Sequence, residues 1–275
     1  MRRGLTLVEL VMVILILAIV AGGVSLLVGR LPTSTSVSTS AGTISQAARA
    51  VQQFRSFEGR YPSRLDLLLA DHTNNGVSAA LTPDLNANGF LDDGVPIGDE
   101  LSVISSNATL VSSLRNAGIS QVIELPDTNK AIVPGSNEPQ TVFRDAEPDN
   151  STRVVDLIAG TSPEHFVVLG ADAIDRLGLD GSGTSTYVVF GLGNNCELVG
   201  ETILSAPIHT RQEQGAVVDR YARFLVVFRV EGTTVSLATI ATLEPDTRAD
   251  GTVVATVTGV GDYLQTFYAT RNSTD

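Results

Sequence analysis

The chain has little of what builds metal centres and covalent frameworks. Its 275 residues contain no tryptophan, one cysteine (Cys196) and one lysine (Lys130), and aromatic residues make up 5%. One cysteine excludes an internal disulfide framework and any site that needs several thiolates. The three histidines, His72, His165 and His209, are far apart in the sequence, and no HExxH pattern is present. The sequence therefore does not predict a zinc-protease site.

Positive charge is also scarce. The 18 Lys and Arg residues are outnumbered by 30 Asp and Glu residues, which gives a formal net charge of −12. Binding to a phosphate backbone requires clustered cations, so we expect no nucleic-acid partner. The hydrophobic content of 43% is enough for one large domain or two small ones.

Much of that hydrophobic content lies in one run near the N-terminus. Residues 10–28 read LVMVILILAIVAGGVSLLV, in which Ser25 is the single polar side chain. About 19 helical residues span roughly 29 Å, close to the thickness of the hydrocarbon core of a bilayer. Arg2 and Arg3 precede the run and favour a cytoplasmic N-terminus. This run is either a membrane anchor or a cleaved secretory signal peptide.

Glu9 favours the anchor. A secretory signal peptide does not need a carboxylate at the edge of its apolar region, and burying one costs a few kcal/mol unless it is paired. Arg2-Arg3-Gly4 followed by the residues LTLVEL and the apolar run resembles the class III signal of type IV pilins and type II secretion pseudopilins.

This resemblance implies how the N-terminus is processed. A prepilin peptidase would cleave after Gly4, and the new N-terminal residue, Leu5, would be N-methylated. Glu9 would pair with the N-terminal amine of a neighbouring subunit, so that one buried charge compensates the other. The sequence departs from the family at Leu5, where phenylalanine or methionine is more common.

The segment after the apolar run supports two interpretations. Residues 33–40, TSTSVSTS, are poor helix formers, and composition alone favours a flexible linker. The resemblance instead implies one helix from Leu5 to Phe57, roughly 80 Å long. The apolar spacing of five residues predicts a buried helix face that ends before Gly59: Ile44, Ala47, Ala48, Val51 and Phe54.

The stretch from Ile44 to Leu69 is the second point of resemblance. It contains FEGRYP and a leucine-rich segment, and it resembles the stem-to-head junction of major pseudopilins. We expect Ser63 to cap a short helix from Arg64 to Ala70.

Beyond residue 100, which the resemblance does not cover, a helix is predicted over Ala108–Ala117 with Asn107 as its cap. The rest is rich in short β-type runs. The predicted fold class is α+β, with a long membrane-inserted helix packed on a mainly antiparallel sheet. The predicted strands are Gln121–Leu125, Lys130–Val133, Val154–Ile158, Phe166–Leu169, Thr186–Leu192, Tyr221–Val230, Thr234–Ala241 and Thr252–Val257.

One loop has the spacing of a calcium site. Oxygen-bearing side chains occupy positions 1, 3, 5 and 9 of an EF-hand-type loop that starts at Asp84, with Gly89 at position 6. Position 12 is Val95 rather than glutamate, so Asp93 or Asp99 would have to substitute. The alternative is an Asx-rich surface turn. The resemblance favours Ca²⁺, and the candidate ligands are Asp84, Asn86, Asn88, Phe90, Asp92 and Asp93.

Other polar groups indicate no catalysis. Asp172, Asp175 and Asp180 are typical of a solvated turn, and Cys196 of a small buried hydrophobe. No GxSxG motif supports a catalytic triad. We therefore expect a structural protein, not an enzyme.

Four segments are predicted: a leader (1–4), a transmembrane helix (5–29), its periplasmic continuation (30–58) and a head (59–275). The chain would cross the inner membrane once, with its N-terminus in the cytoplasm and its head in the periplasm or outside the cell. The resemblance implies a pseudopilin of a type II secretion pseudopilus for protein export. Its partners would be other pilin-like subunits, prepilin peptidase, an inner-membrane assembly platform and membrane lipid. The alternatives are a type IV pilus subunit for adhesion or motility, and a ligand-binding head on a pilin-type anchor.

Overall fold

The computed structural model describes residues 31–69, 71–73, 100–125, 154–160, 162–207, 212–213, 216–217, 223–247 and 253–265. The helices in these ranges are α1 (Leu31–Glu58), α2 (Ala108–Asn116) and α3 (Ala171–Arg176), and a further helical turn covers 260–265. The strands are β1 (Leu65–Asp66), β2 (Leu101–Ser105), β3 (Gln121–Ile123), β4 (Val154–Asp156), β5 (His165–Leu169), β6 (Thr186–Gly191), β7 (Gln212–Glu213), β8 (Ala216–Val217), β9 (Leu225–Glu231), β10 (Thr234–Thr247) and β11 (Val253–Thr258).

A large mixed sheet forms the centre of the described structure. Its strands follow the order β11-β10-β9-β6-β1-β3-β4, and β2 joins through β5, which also pairs with β6. Among the described strands, β1 and β3 pair in parallel and the other pairs of the sheet are antiparallel. This confirms the predicted combination of helices with a mainly antiparallel sheet.

Helix α1 lies against this sheet along its C-terminal half. The helix contacts β10, and the side chains that it buries recur every three or four residues, as the sequence predicted. Ala48 is half-buried on the same side. The fully buried members are Ala41, Ile44, Ala47, Ala50, Val51 and Phe54.

The serine- and threonine-rich tract 33–40 is helical, as the resemblance implied and contrary to the linker that composition alone favours, within a helix described from Leu31 onward. Residues 5–30 of the expected helix lie outside the described residues. Within the described ranges, no helix is both long enough and apolar enough to cross a membrane.

The short helix expected over Arg64–Ala70 was wrong. This segment instead forms β1 and continues along β3, with Leu67 N–H donating to the Ile123 carbonyl at 2.7 Å. The Ser63 hydroxyl accepts from the Gln121 N–H at 2.8 Å and so joins the strands rather than capping a helix. Burial explains the difference: Leu65, Leu67, Leu68 and Leu69 are all fully buried, which a surface helix with one apolar stripe does not permit.

Helix α2 has the predicted cap. The Asn107 side chain accepts a hydrogen bond from the Leu110 N–H at 2.8 Å, and the chain turns away at Gly118, where φ is +108°. The described elements that were not predicted are β1, β2, β7, β8 and α3, and the predicted strand Lys130–Val133 lies outside the described residues. Asp172 and Asp175, expected in a turn, belong to α3, whereas Asp180 does form a turn by accepting from the Ser182 N–H at 3.0 Å.

An aromatic chain runs through the core between the helices and the sheet. Tyr61 packs edge-on against Phe228 with ring centroids 4.8 Å apart, and Phe190 contacts Phe228 at 6.1 Å and Phe166 at 6.2 Å. Such edge-to-face pairs contribute roughly 0.5–1.5 kcal/mol each beyond area burial. They connect the end of α1 to the central strands β5, β6 and β9.

Candidate functional site

The predicted processing and assembly residues, Gly4, Leu5 and Glu9, lie outside the described residues. The same holds for the candidate calcium ligands Asp84, Asn86, Asn88, Phe90, Asp92 and Asp93, and for His209. The structure does describe how the helix that follows the N-terminal segment is fixed to the head.

The first fixing point is Tyr61, just after α1. Its hydroxyl accepts hydrogen bonds from the Arg55 guanidinium at 2.5 Å and from the Leu237 N–H at 2.8 Å. The guanidinium carbon of Arg55 also lies 4.4 Å from the centre of the Tyr61 ring. One side chain therefore links α1 to β10, and its ring is fully buried.

The second fixing point is Glu197. Its Oε2 accepts from the Arg60 guanidinium at 2.5 Å and from the Ser63 N–H at 2.9 Å. Partial burial tends to raise the pKa of this carboxyl, but the hydrogen bonds from Arg60 and Ser63, together with the charges of Arg60 and Arg64, outweigh it and lower the pKa. Glu197 thus holds the turn after α1 as a carboxylate.

Gly118 allows the end of α2 to approach the same turn. A Cβ atom at this position would lie 2.5 Å from the Arg60 Cβ and 2.8 Å from the Tyr61 carbonyl oxygen. The Tyr61 N–H donates to the Ala117 carbonyl at 2.7 Å. The turn after α1 is therefore enclosed by α2, β10 and the loop that carries Glu197.

A cluster of metal-type ligands lies at the far end of the parallel strands. Leu125 N–H donates to the Leu69 carbonyl at 2.8 Å, so the two chains stay side by side beyond β1 and β3. This brings Asp71 and His72 next to Glu124. One ligand atom from each of the three residues lies within 4.8 Å of the others.

Within this cluster, His72 is close to both carboxylates. Its Nδ1 lies 2.6 Å from the Glu124 Oε1 and 3.8 Å from the Asp71 Oδ1. The His72 N–H also donates to the Glu124 Oε1 at 2.6 Å. The exposed fractions of the side chains are 0% for Glu124, 15% for His72 and 44% for Asp71. The cluster is therefore buried on the side of Glu124 and accessible to solvent on the side of Asp71.

The sequence did not predict this cluster, because His72, His165 and His209 are far apart along the chain. His165, on β5, in fact lies with its Nδ1 3.3 Å from the His72 carbonyl oxygen. Two sequence signals were present: Glu124 stands between Ile123 and Leu125 in an apolar strand, and the Asp71-His72 pair follows closely on a leucine run. A carboxylate inside an apolar strand indicates a specific partner.

Glu100 and Cys196 are two further buried groups outside this cluster. Glu100 accepts from the Val257 N–H at 3.0 Å and forms an ion pair with Arg176, which ties β11 to α3 and the start of β2. Cys196 is buried as expected, and desolvation raises its pKa to about 12, so it is a thiol at neutral pH and not a nucleophile.

Comparison with known proteins identifies the N-terminal segment. Residues 1–25 match the family model described as the prokaryotic N-terminal methylation motif. No curated protein and no solved structure matches the chain. The motif is that of precursors which assemble with other pilin subunits after processing. The chain therefore carries the class III signal of a pilin-like precursor that is processed by prepilin peptidase.

Proposed function

We propose that the protein is a pseudopilin, a non-catalytic subunit of a type II secretion pseudopilus. The observation that supports this most is the order of three features along the chain. The methylation motif of residues 1–25 comes first, the apolar run 10–28 overlaps it, and α1 then follows with its buried face packed on a sheet.

The proposed domain organisation follows the same order. Residues 1–4 are a leader that is removed, 5–29 cross the inner membrane, 30–58 continue the helix into the periplasm, and 59–275 form the head. Arg2 and Arg3 keep the leader in the cytoplasm, where the peptidase acts. After cleavage the apolar segment can leave the bilayer only by packing against the same segment of other subunits, because its side chains are poorly solvated in water.

Glu9 has a specific role in this proposal. Its carboxylate pairs with the methylated amine of Leu5 in a neighbouring subunit, and this fixes the axial register of the filament. The compensation of one buried charge by another makes both tolerable in an apolar filament core.

In this proposal, the contacts between the end of α1 and the head transmit the axial movement of the helix to the head. Filament growth displaces the stem, and the head must follow it. Tyr61 links α1 to β10, and Glu197 holds the turn after α1 through Arg60 and Ser63. These contacts connect the helix to the central sheet rather than to a surface loop, which suits a subunit that transmits an axial displacement.

The experiment that tests the assembly role is the Glu9→Ala substitution in a strain that assembles the wild-type chain. We expect the variant to be made, inserted and cleaved but absent from sheared filaments. The matched control is Glu58→Gln, which changes an exposed carboxylate at the other end of the stem helix and should assemble normally. Normal incorporation of Glu9→Ala would contradict the proposed register role.

Secretion and pilus functions are separated by deleting the gene and restoring it. If the chain is a pseudopilin, deletion of its gene should leave exported proteins in the periplasm, and motility and adhesion should be unchanged. Loss of motility or adhesion with normal export would instead assign the chain to a type IV pilus.

A further inference from the structure

We propose that Asp71, His72 and Glu124 bind a single divalent transition-metal ion of the zinc type. This site goes beyond the filament role, and it would remain if the chain belonged to a different pilin-like system. Its donor set also differs from that of the candidate calcium loop that begins at Asp84, which offers oxygen donors alone.

The backbone places the three ligands on a rigid base. Glu124 directly follows β3, and Asp71 and His72 follow the partner segment that runs parallel to it. Main-chain bonds hold these segments together on either side, from Leu67 N–H to the Ile123 carbonyl at 2.7 Å and from Leu125 N–H to the Leu69 carbonyl at 2.8 Å. Sites supported by strands hold their geometry better than sites on free loops.

The donor atoms lie close enough together to share one four-coordinate ion after small side-chain shifts. Zinc–nitrogen and zinc–oxygen bonds of about 2.0–2.1 Å at a tetrahedral angle put neighbouring ligand atoms about 3.3 Å apart. The His72 Nδ1 lies 2.6 Å from the Glu124 Oε1 and 3.8 Å from the Asp71 Oδ1, so these separations fall on either side of that value. Rotamer shifts of under about 1 Å would bring both to it.

The negative charge of the cluster also favours binding of a divalent cation. The Glu124 side chain is fully buried, and a buried carboxylate needs a compensating positive charge. A divalent ion held by the Glu124 and Asp71 carboxylates would place positive charge directly beside both side chains.

Neighbouring groups already orient the ligands. Asp71 Oδ1 accepts from the Thr73 N–H at 2.9 Å and from the Thr73 hydroxyl at 2.8 Å. The His72 N–H fixes the Glu124 carboxylate, and the His165 ring lies against the His72 carbonyl. Supporting hydrogen bonds of this kind set the direction of metal ligands in known sites.

The donor set selects the class of ion. One imidazole with two carboxylates suits zinc or a similar first-row ion, whereas calcium prefers oxygen donors alone and more of them. Three protein ligands leave a fourth position for water, and Asp71, which is 44% exposed, provides access from solvent. The ion would tie residues 71–73 to the end of β3.

The test measures Zn²⁺ binding by calorimetry to the untagged full chain in detergent, after treatment with a chelator. The wild-type chain should bind a single equivalent, and Co²⁺ at the same site should show the visible bands of a four-coordinate ion. His72→Gln and Asp71→Asn should each weaken Zn²⁺ binding by at least about tenfold. Asp71 is partly exposed, so its variant should fold even if changes at Glu124 do not.

The control is Glu164→Gln, an exposed carboxylate next to His165, which should bind Zn²⁺ as the wild type does. Asp84→Ala should also leave Zn²⁺ binding unchanged. The proposal is overturned if the folded wild-type chain binds no Zn²⁺. It is equally overturned if His72→Gln and Asp71→Asn bind as tightly as the wild type, because the cluster would then be an ion pair of His72 with Glu124 and nothing more.

Discussion

Glu197 determines how the turn after α1 responds to pH. It holds both the Arg60 guanidinium and the Ser63 N–H, and its pKa is lowered in the folded state. A carboxyl with a lowered folded-state pKa stabilises the fold at pH values above its ordinary pKa. That contribution is lost as pH falls from there through the lowered value. The contacts that Glu197 makes with the turn after α1 are therefore weakened at low pH.

The substitution Glu197→Gln tests this. Because the carboxylate is about one-third exposed, we expect a loss of about 1 kcal/mol in the free energy of unfolding at pH 7. The difference from the wild type should shrink below the ordinary carboxyl range, at about pH 3. Denaturant titrations at the two pH values measure it. Glu201→Gln, an exposed neighbour, is the control and should show no such dependence. An equal loss at both pH values would mean that packing, not charge, explains the effect.

At the scale of elements, α1 offers a matched pair of phenylalanines. Phe54 is 2% exposed in the contact with the sheet, whereas Phe57, one turn later, is 73% exposed. Phe54→Ala should reduce the free energy of unfolding of the head by about 3–5 kcal/mol, because it removes buried area and leaves a cavity. Phe57→Ala should change it by less than about 0.5 kcal/mol. Urea titrations of both variants measure the difference, and equal effects would contradict the described packing of α1.

Periodicity predicted α1 and α2 because both bury a single stripe and have recognisable ends. It failed at residues 64–70, because the consecutive side chains 65–69 are all buried and no apolar stripe distinguishes one face of this segment. The pairing of this segment with β3 depends on residues more than fifty positions away, which no local pattern reports. The resemblance to pilins was needed for the tract 33–40, because its composition alone favours a linker.

The candidate metal cluster shows the same limit at longer range. Glu124 was visible in the sequence as an acid within an apolar strand, but its partners were not. Only the parallel register of β1 with β3 brings His72 to Glu124. Residue types can therefore mark a buried charge, while the topology decides which group compensates it.

The loop that begins at Asp84 carries a separate proposal, calcium binding. At Ca²⁺ concentrations about 100-fold above Kd, linkage raises the melting temperature of the wild-type chain by roughly 5 °C or more. Asp84→Ala should abolish this rise, because it removes the first ligand of the loop. Thermal scans with and without Ca²⁺ measure it. An unchanged wild-type melting temperature would leave the loop as an Asx-rich turn.

At the scale of the whole molecule, the hydrophobic residues and the acidic residues are distributed unevenly along the chain. The apolar run of residues 10–28 raises the hydrophobic content of a chain whose remainder is acidic. The proposed cleavage after Gly4 would remove Arg2 and Arg3 and make the mature chain more negative than −12. A chain of this net charge attracts cations and repels polyanions.

The N-terminus of the mature chain tests the central claim most directly. Intact-mass and N-terminal peptide measurements on the full-length chain, produced with and without a prepilin peptidase, report the cleavage site and any methylation. We predict that the enzyme yields a chain that begins at Leu5 with a methylated amine, and that Gly4→Leu blocks this. An N-terminus that remains at Met1, or a cut beyond the apolar run by an ordinary signal peptidase, would contradict the assignment as a pilin-like subunit.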